Sequence, residues 1–333
     1  MKFAEMPYQR VDTDAVVAAL KELTQKMKTA KSGEEQFRIH QKFYALRDEY
    51  NTMIQIATIR SDVDTTDTYY SGEKDYYNEV FPTINNQETE YRKVLYDSPY
   101  RAELEEKIGK VAFKSMELEF KAMNEKLIPL MREENALTTR YDNLIAGAKI
   151  DWEGETLNLS LLRPYMTHED RAIRRRAYEK YSAFFQSKAG ELDEIYDKLV
   201  KNRTTQARLL GYENYVELGY YRLNRNSYGK KEVENFRRQI KTYFVPLAEK
   251  IHDRRRERLG LEKLSYVDEG VYFAGGNPKP YGTPEEIMAN GQKMYEELSP
   301  ETKEFFDFMM EKQLFDVLGR KTKKAGGYMT QCH

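Results

Sequence analysis

Histidine and cysteine side chains are the first candidates for chemistry in this chain, because they bind metals and act as bases or nucleophiles. The sequence has one cysteine, Cys332, and four histidines: His40, His168, His252 and His333. A helical zinc site needs two histidines, usually four residues apart, with a carboxylate beside them. His168 is followed by Glu169, but Ala172 stands where the second histidine would be. The spacing excludes this motif, and we expect no metal ligands in the chain.

The histidines and the cysteine also lack partners with which they would form a catalytic site. His40 and His252 stand singly on charged helical segments, and His168 is typical of the first turn of a helix. Cys332 and His333 are adjacent at the end of the chain, where a thiol and its base would have to be held in a fixed geometry. Nothing in the sequence provides that geometry, so we predict no catalytic residue.

Acidic and glycine-rich stretches are the other candidate ligand sites. Asp62, Asp64 and Asp67 lie in one polar turn, as in a calcium-binding loop. An EF-hand loop that began at Asp62 would need Gly at its sixth position, which is Asp67, although the twelfth is Glu73. Helix caps and turn bonds explain these residues better. The chain has no Gly-x-Ser-x-Gly turn, Walker loop or Rossmann glycine pattern, and Gly275-Gly276-Asn277-Pro278 is a weak phosphate loop.

The charge balance excludes several classes of partner. Among 333 residues, Lys and Arg number 54 and Asp and Glu number 55, which leaves a net charge of -1. Such a surface attracts neither nucleic acid nor an anionic membrane, and the arginine runs 174–176 and 254–256 are typical of solvated helix faces. One cysteine cannot form an internal disulfide, the start is not a signal peptide, and no apolar run is long enough to cross a membrane. These features predict a soluble, cytoplasmic protein.

Apolar residues recur three and four apart through most of the chain, which predicts a mostly α-helical fold. In the first predicted helix these residues are Val16, Val17, Leu20, Leu23 and Met27. Pro82 should kink or split the third helix. Residues 230–258 are predicted to be one long helix with Pro246 inside it.

The period changes over residues 148–159, where polar and apolar residues alternate around a Glu-Gly turn. This predicts one β-hairpin with a buried face formed by Ile150, Trp152, Leu157 and Leu159. The lone tryptophan is expected to pack rather than to bind a ligand. Residues 264–273 are predicted to be extended, and a short strand is predicted near the end of the chain.

Several stretches resemble one family closely, the oligoendopeptidase F branch of the thimet-oligopeptidase-like zinc metallopeptidases. The resemblance runs over nearly the whole chain, and the order and separation of its markers make it specific. The markers are Leu144–Ile150 with the hairpin that follows, Phe184–Val200, Arg203–Ala207, Leu210–Tyr220, Gly291–Tyr295, Leu298–Thr302 and Lys324–Thr330. The resemblance implies a multi-helix, two-lobed peptidase scaffold of the zincin-like class, with an incomplete catalytic domain.

The same resemblance implies three regions. Residues 1–100 form an N-terminal helical region, and residues 101–175 are similar to the helices and hairpin of the oligoendopeptidase F N-terminal part. Residues 176–333 correspond to the first part of the helical peptidase domain and end before its metal site.

The catalytic groups of the family are implied to lie elsewhere. Family members hold zinc with a His-Glu-x-x-His helix and a Glu on the next helix, and the first Glu is the general base for a zinc-bound water. These groups lie downstream of the Gly-Gly-Tyr segment, and no position of this sequence matches them. Zinc is therefore implied for the full-length family, and none is expected to be bound by this chain alone.

Gly326, Gly327 and Tyr328 do match the family. The resemblance implies that this segment leads into a strand at the substrate cleft, where a peptide binds by backbone hydrogen bonds. The alternative is a glycine-rich helix exit into an ordinary strand. Residues 331–333, Gln-Cys-His, depart from the family pattern, which fits a frameshift, a truncated gene or a fragment boundary.

Two functions are consistent with these features. The first is the N-terminal portion of a cytoplasmic zinc oligoendopeptidase that hydrolyses short peptides, inactive as this chain alone and with a downstream catalytic half as partner. The second is a non-catalytic helical module that binds peptides or proteins. Helices without their covering half would expose apolar faces, so self-association is also expected.

Overall fold

α-Helices dominate the computed structural model, which describes residues 1–332. The helices and strands of this part of the chain are α1 (Thr13–Thr29), α2 (Gly33–Val63), α3 (Thr68–Tyr96), α4 (Arg101–Ile108), α5 (Lys110–Ala122), α6 (Ile128–Ala146), β1 (Ile150–Trp152), β2 (Glu155–Leu157), α7 (Leu159–Met166), α8 (Arg171–Ser187), α9 (Ala189–Leu209), α10 (Tyr215–Arg222), α11 (Lys230–Gln239), α12 (Val245–Arg258), α13 (Pro284–Leu298) and α14 (Pro300–Glu311). Short 3-10 helices and one π-helical turn complete the regular structure. The predicted mostly helical fold with one hairpin is confirmed.

Helix α1 shows how the periodic segments fold. The carboxylate of Asp12 accepts a hydrogen bond from the N–H of Ala15 at 3.0 Å and so caps the helix. The apolar residues that are buried on its inner face are Val16, Leu20, Leu23 and Met27. Because they recur every three or four residues, they share one face, and the burial of each side chain stabilises the fold by about 1.5–3 kcal/mol.

The two prolines affect their helices differently. Helix α3 runs without interruption through Pro82, which is buried, so the helix does not split there. Packing of the proline ring in the core offsets part of the cost of the lost hydrogen bond. Pro246 is the second residue of α12, and the π-helical turn Ile240–Phe244 precedes it. The wider turn accommodates a ring without an N–H, so residues 230–258 are helical throughout, as predicted, with one π-helical turn between α11 and α12.

The hairpin forms where the alternating pattern predicted it. Strands β1 and β2 are antiparallel, with Ile150 opposite Leu157. Glu153 and Gly154 between them have φ values of 52° and 90°. A two-residue type I′ turn requires positive φ at both positions, which explains the glycine.

The predicted buried face of the hairpin is confirmed, since its four apolar residues are all less than a tenth exposed: Ile150, Trp152, Leu157 and Leu159. Leu159, however, is the first residue of α7 and not part of a strand. The Trp152 ring packs on Tyr165 with centroids 4.7 Å apart, and the guanidinium of Arg176 lies 5.4 Å from it. The tryptophan therefore packs, as expected.

Two extended segments that the sequence predicted are absent from the described residues. Residues 312–332 contain neither helix nor strand, so the predicted strand near the end is wrong. Residues 264–273 contain the 3-10 helix Tyr266–Asp268 instead of an extended run. A strand is stable only where its backbone pairs with a neighbour, and an alternating pattern does not show whether a neighbour is present.

One arginine of each run is buried, which corrects the expectation of solvated runs in part, since Arg175, Arg176 and Arg254 are exposed. Arg174 on α8 is 3% exposed, and its guanidinium donates to the Asp268 carboxylate at 2.9 Å. Burial alone would raise the pKa of Asp268, but hydrogen bonds from Arg171, the N–H of Ser265 and Arg174 lower it to about 2. Arg255 in the second run is 5% exposed. Local sequence does not show this burial, because the partners are distant along the chain.

Packing divides the chain into two units. One contains Met1–Tyr8, Ala146–Ser187 and Val245–Gly327, and the other contains Gln9–Ile145, Lys188–Phe244 and residues 328–332. The domain ranges predicted from the sequence, 1–100, 101–175 and 176–333, remain a prediction. Across residues 1–332, no helix combines the length and apolar character needed to cross a membrane.

Candidate functional site

The described histidines do not form a metal site. Among residues 1–332, no group of three or more His, Cys, Asp or Glu side chains is placed to hold a metal ion. His168 Nδ1 accepts a hydrogen bond from the N–H of Asp170 at 3.0 Å, and His252 Nδ1 accepts one from Arg255 at 2.9 Å. His333 lies outside the described residues. The zinc that the resemblance implies for the family therefore does not fit any set of side chains in residues 1–332.

His40 is a packing residue of the aromatic core. It is 3% exposed and stacks with Phe43 and Tyr91 at centroid distances of 5.9 and 6.1 Å. Its Nδ1 lies 3.3 Å from the Tyr91 hydroxyl, and its Nε2 is buried without a partner among the described residues. Burial and then the charge of Arg92 lower the pKa of His40 to about 4, so the imidazole is neutral at pH 7.

Cys332 is not an activated nucleophile. Its side chain is partly buried, and burial raises the pKa of the thiol. Because the thiolate is the reactive form, a raised pKa lowers the reactive fraction at neutral pH. The neighbouring His333 lies outside the described residues.

Two aspartates of the polar turn cap the start of α3 or brace the turn, as the sequence predicted. Asp67 accepts hydrogen bonds from the N–H groups of Tyr69 and Tyr70 at 2.9 and 3.0 Å. Asp64 accepts from the N–H and the hydroxyl of Thr66 at 3.0 and 2.6 Å. These carboxylates satisfy backbone donors that an α-helix or turn leaves unpaired.

Gly326 and Gly327 leave open space beside the backbone. Gly326 has φ +89°, a left-handed conformation that favours glycine. Apart from the glycine and its two chain neighbours, no atom of the described residues lies within 4 Å of the position that a Cβ would take at either glycine. The protein's own packing therefore does not require glycine at position 327, and the backbone there is accessible to another chain.

Tyr328 and Thr330, which follow the glycines, are attached to helix α2. The Tyr328 hydroxyl is hydrogen-bonded to the carboxylate of Asp62, and the Thr330 hydroxyl donates to Gln55 Oε1 at 3.1 Å. Burial, then the charge of Asp62 and this hydrogen bond, raise the pKa of Tyr328 above that of an ordinary tyrosine. The phenol is therefore neutral, and its side chain remains 56% exposed for contact with a ligand.

Helix α2 positions both anchoring side chains. Gln55 and Asp62 are seven residues apart, which is two helical turns, so they lie on one face. Lys74 on α3 holds Asp62 through an ion pair of 2.8 Å. The sequence did not point to these three residues as part of the site, because nothing local links them to the end of the chain.

This segment has the chemistry of a binding surface rather than of a catalytic centre. Exposed backbone at the glycines offers N–H and C=O groups to an extended peptide, and the half-exposed phenol offers an aromatic contact. The structure brings Gly326, Gly327 and Tyr328 together only as neighbours in the chain. Their predicted role in substrate binding remains a prediction.

Two family models match the chain. The model of the Peptidase M3 N-terminal domain matches residues 3–123, and the model of Peptidase family M3 matches residues 164–333. No curated protein matches this chain.

Solved structures include closely similar folds. PZ peptidase A, solved with an inhibitor, is 43% identical over 98% of this chain, with a TM-score of 0.96. A protein assigned as oligoendopeptidase F is 42% identical over 98%, with a TM-score of 0.96. A protein from Bacillus anthracis str. Ames with the same assignment is 39% identical over 99%, with a TM-score of 0.97. This chain spans 58%, 58% and 61% of the lengths of these three chains.

Proposed function

This chain belongs to peptidase family M3, and we propose that it is the N-terminal portion of a cytoplasmic zinc oligoendopeptidase that hydrolyses short peptides. One observation carries the proposal: residues 164–333 match the peptidase family itself, while residues 1–332 hold no group of side chains that fits a metal. Hydrolysis would then depend on groups that this portion does not supply. We therefore expect the chain to be inactive alone.

The role we assign to this portion is to bind and orient the peptide. The open backbone at Gly326 and Gly327 would pair with an extended peptide, as an added strand pairs with a sheet edge. Tyr328 would contact a side chain or the backbone of the peptide, and its bond to Asp62 would hold the ring in place. A phenol that stays neutral costs less to cover with a peptide than a charged group would.

A complementation experiment tests this proposal. The purified chain is mixed with the portion of PZ peptidase A that lies outside the matched 58% of that protein, in the presence of zinc. We expect cleavage of a quenched fluorescent peptide by the mixture and by neither component alone. Cleavage by the chain alone, or a mixture that binds but remains inactive, would overturn the proposal.

The second candidate is a helical module that binds peptides without cleaving them. The lack of a fitting metal group among residues 1–332 and the open glycine backbone favour it. Sequencing the gene past codon 333 in all three frames separates the two. A His-Glu-x-x-His motif soon after this codon supports the peptidase portion, and its absence together with peptide binding supports the module.

A further inference from the structure

Arg255 on α12 has a buried guanidinium, and within the described part of the chain no carboxylate pairs with it. The residue is 5% exposed, and its Nη1 donates to the carbonyl oxygen of Glu269 at 2.7 Å. A guanidinium only donates, so His252 Nδ1, 2.9 Å from Nη2, is the acceptor of the second bond. The Nε is buried and has no hydrogen-bond partner among residues 1–332.

The next arginine along α12 and the other buried arginine of the described residues are both paired with carboxylates. Arg256 pairs with Asp253 and Glu257, at 3.9 and 3.4 Å, and buried Arg174 pairs with Asp268 at 2.9 Å. Arg255 forms no such ion pair with any residue of the described chain. Only the Tyr272 ring, 5.6 Å from its guanidinium carbon, offers further electrostatic compensation.

Physical chemistry indicates which kind of group Arg255 would bind. A buried charge is unfavourable unless it is paired and its hydrogen bonds are made. A carboxylate fits best, because its two oxygens match the planar fork of a guanidinium. His252 is exposed beside the guanidinium, and with Nδ1 as acceptor its Nε2–H can donate to the same carboxylate.

This face of α12 also carries exposed apolar residues, together with the exposed arginines Arg254 and Arg258. Leu247 and Ile251 are 53% and 51% exposed, and they precede Arg255 by two turns and one turn. Residues four apart lie on one face of a helix, so the three side chains form a single stripe. Charged residues lie on the opposite face: Glu249, Asp253 and Glu257. The stripe suits a polypeptide segment that carries apolar side chains and one acidic side chain.

We propose that Arg255 and His252 bind a carboxylate side chain of the polypeptide that completes the M3 peptidase fold. This contact places an apolar segment of the same polypeptide on Leu247 and Ile251. This inference rests on the proposed function. The occupant follows from length, since about 40% of each of the three similar chains lies outside the part that this chain spans. A free acidic metabolite would satisfy Arg255 but would leave the apolar stripe exposed.

The test compares Arg255→Met with a matched control, Arg256→Met, which removes the next arginine, paired with Asp253 and Glu257 on the opposite face of α12. The probe is the portion of PZ peptidase A outside the matched region, and binding is measured by calorimetry. We expect Arg255→Met to bind about tenfold or more weakly and Arg256→Met to bind like the wild type. Equal binding by both variants would overturn the proposal.

Thermal unfolding of the isolated variants separates binding from structure. Because Arg255 has no carboxylate partner among residues 1–332, Arg255→Met should leave the Tm unchanged or raise it. A lower Tm, or a variant that does not fold, would show that Arg255 is structural and would overturn the proposal. Two other occupants of this face would also overturn the proposal. If Arg255→Met, but not the control variant, abolishes self-association, the occupant is a second copy of the chain. If Arg255→Met, but not the control variant, binds a peptide with a free C-terminal carboxylate no better than its C-terminal amide, the occupant is a substrate peptide.

Peptidase activity of the same mixtures separates this inference from the proposed function. Arg255-dependent binding without cleavage would contradict the proposed function and leave the inference standing. If the mixtures of both variants bind the probe and cleave the peptide as the wild type does, the proposed function stands and the inference about Arg255 is contradicted. A wild-type chain that does not bind the probe would contradict both.

Discussion

The hydroxyl of Tyr328 is hydrogen-bonded to the carboxylate of Asp62, so a residue near the end of the chain is attached to the second helix. Asp62 is itself held by Lys74, whose Nζ lies 2.8 Å from its Oδ1. The bond holds the phenol ring by its polar end, while the side chain remains 56% exposed. The candidate binding segment therefore has a defined anchor although it is not a strand.

Replacing Asp62 with asparagine should lower the pKa of Tyr328 toward that of an ordinary tyrosine. The substitution removes the charge that, after burial, contributes most to the raised value. Because the pKa of Tyr328 is higher in the folded than in the unfolded chain, its neutral phenol stabilises the fold below pH about 10. This stabilisation is lost as the pH rises further. Phenolate absorbance during an alkaline titration measures the shift, and Tyr328→Phe identifies the signal. An identical titration in the Asp62→Asn variant would show that the carboxylate does not act on Tyr328.

Asp268→Asn should destabilise the chain by about 3 kcal/mol at pH 7, because it leaves buried Arg174 without a carboxylate. The control is Glu153→Gln, which removes an exposed pair with Arg176 of 3.0 Å and should cost less than about 1 kcal/mol. Urea unfolding of both variants measures the difference. Equal decreases in the free energy of unfolding in Asp268→Asn and Glu153→Gln would mean that burial of the Asp268 pair has no energetic effect.

The same pair predicts how the stability of the wild type depends on pH. The pKa of Asp268 is about 2 in the folded chain and about 4 when unfolded. Because its pKa is lower in the folded chain, the Asp268 carboxylate stabilises the fold above pH about 4, and this stabilisation is lost as the pH falls toward about 2. The difference in the free energy of unfolding between the wild type and Asp268→Asn should therefore become smaller as the pH falls from about 4 to about 2.

Much of the fold was predictable because its signals are local. The three-and-four spacing of Leu20, Leu23 and Met27 predicted a buried helix face, and the Glu-Gly turn at residues 153–154 predicted the hairpin. In both cases the residues that decide the structure are neighbours in the sequence.

The predictions that failed depend on distant partners. The burial of Arg174 depends on Asp268, and that of Arg255 depends on the turn at Glu269, so a local charge run appeared solvated. The predicted final strand would have needed a neighbouring strand. The segment that contains Tyr328 is instead held by side chains of α2, which no local pattern indicates.

Alanine at the two glycines should separate backbone conformation from ligand contact. Gly326→Ala should cost about 1 kcal/mol of stability, because φ there is +89°. Gly327→Ala meets open space and should leave the Tm unchanged. In the complemented mixture, however, Gly327→Ala should raise KM for a short peptide severalfold if the peptide approaches this backbone. An unchanged KM would exclude Gly327 from the binding surface.

Self-association of the isolated chain should depend on an apolar helix face. Phe236, Tyr243 and Phe244 are 63%, 70% and 65% exposed, and large exposed apolar patches promote association. Light scattering over a concentration series should show oligomers that Phe236→Ser reduces and that Glu234→Ser, a change at an exposed polar residue, does not. A monomeric wild type at all concentrations would contradict this prediction.

Peptide cleavage by the purified 333-residue chain, dialysed against zinc and assayed with a quenched fluorescent peptide, tests the central claim most directly. If the chain is a portion of an M3 peptidase that binds and orients peptides but holds no catalytic metal, no cleavage above the buffer rate will be seen. Cleavage that a chelator abolishes and zinc restores would contradict the account.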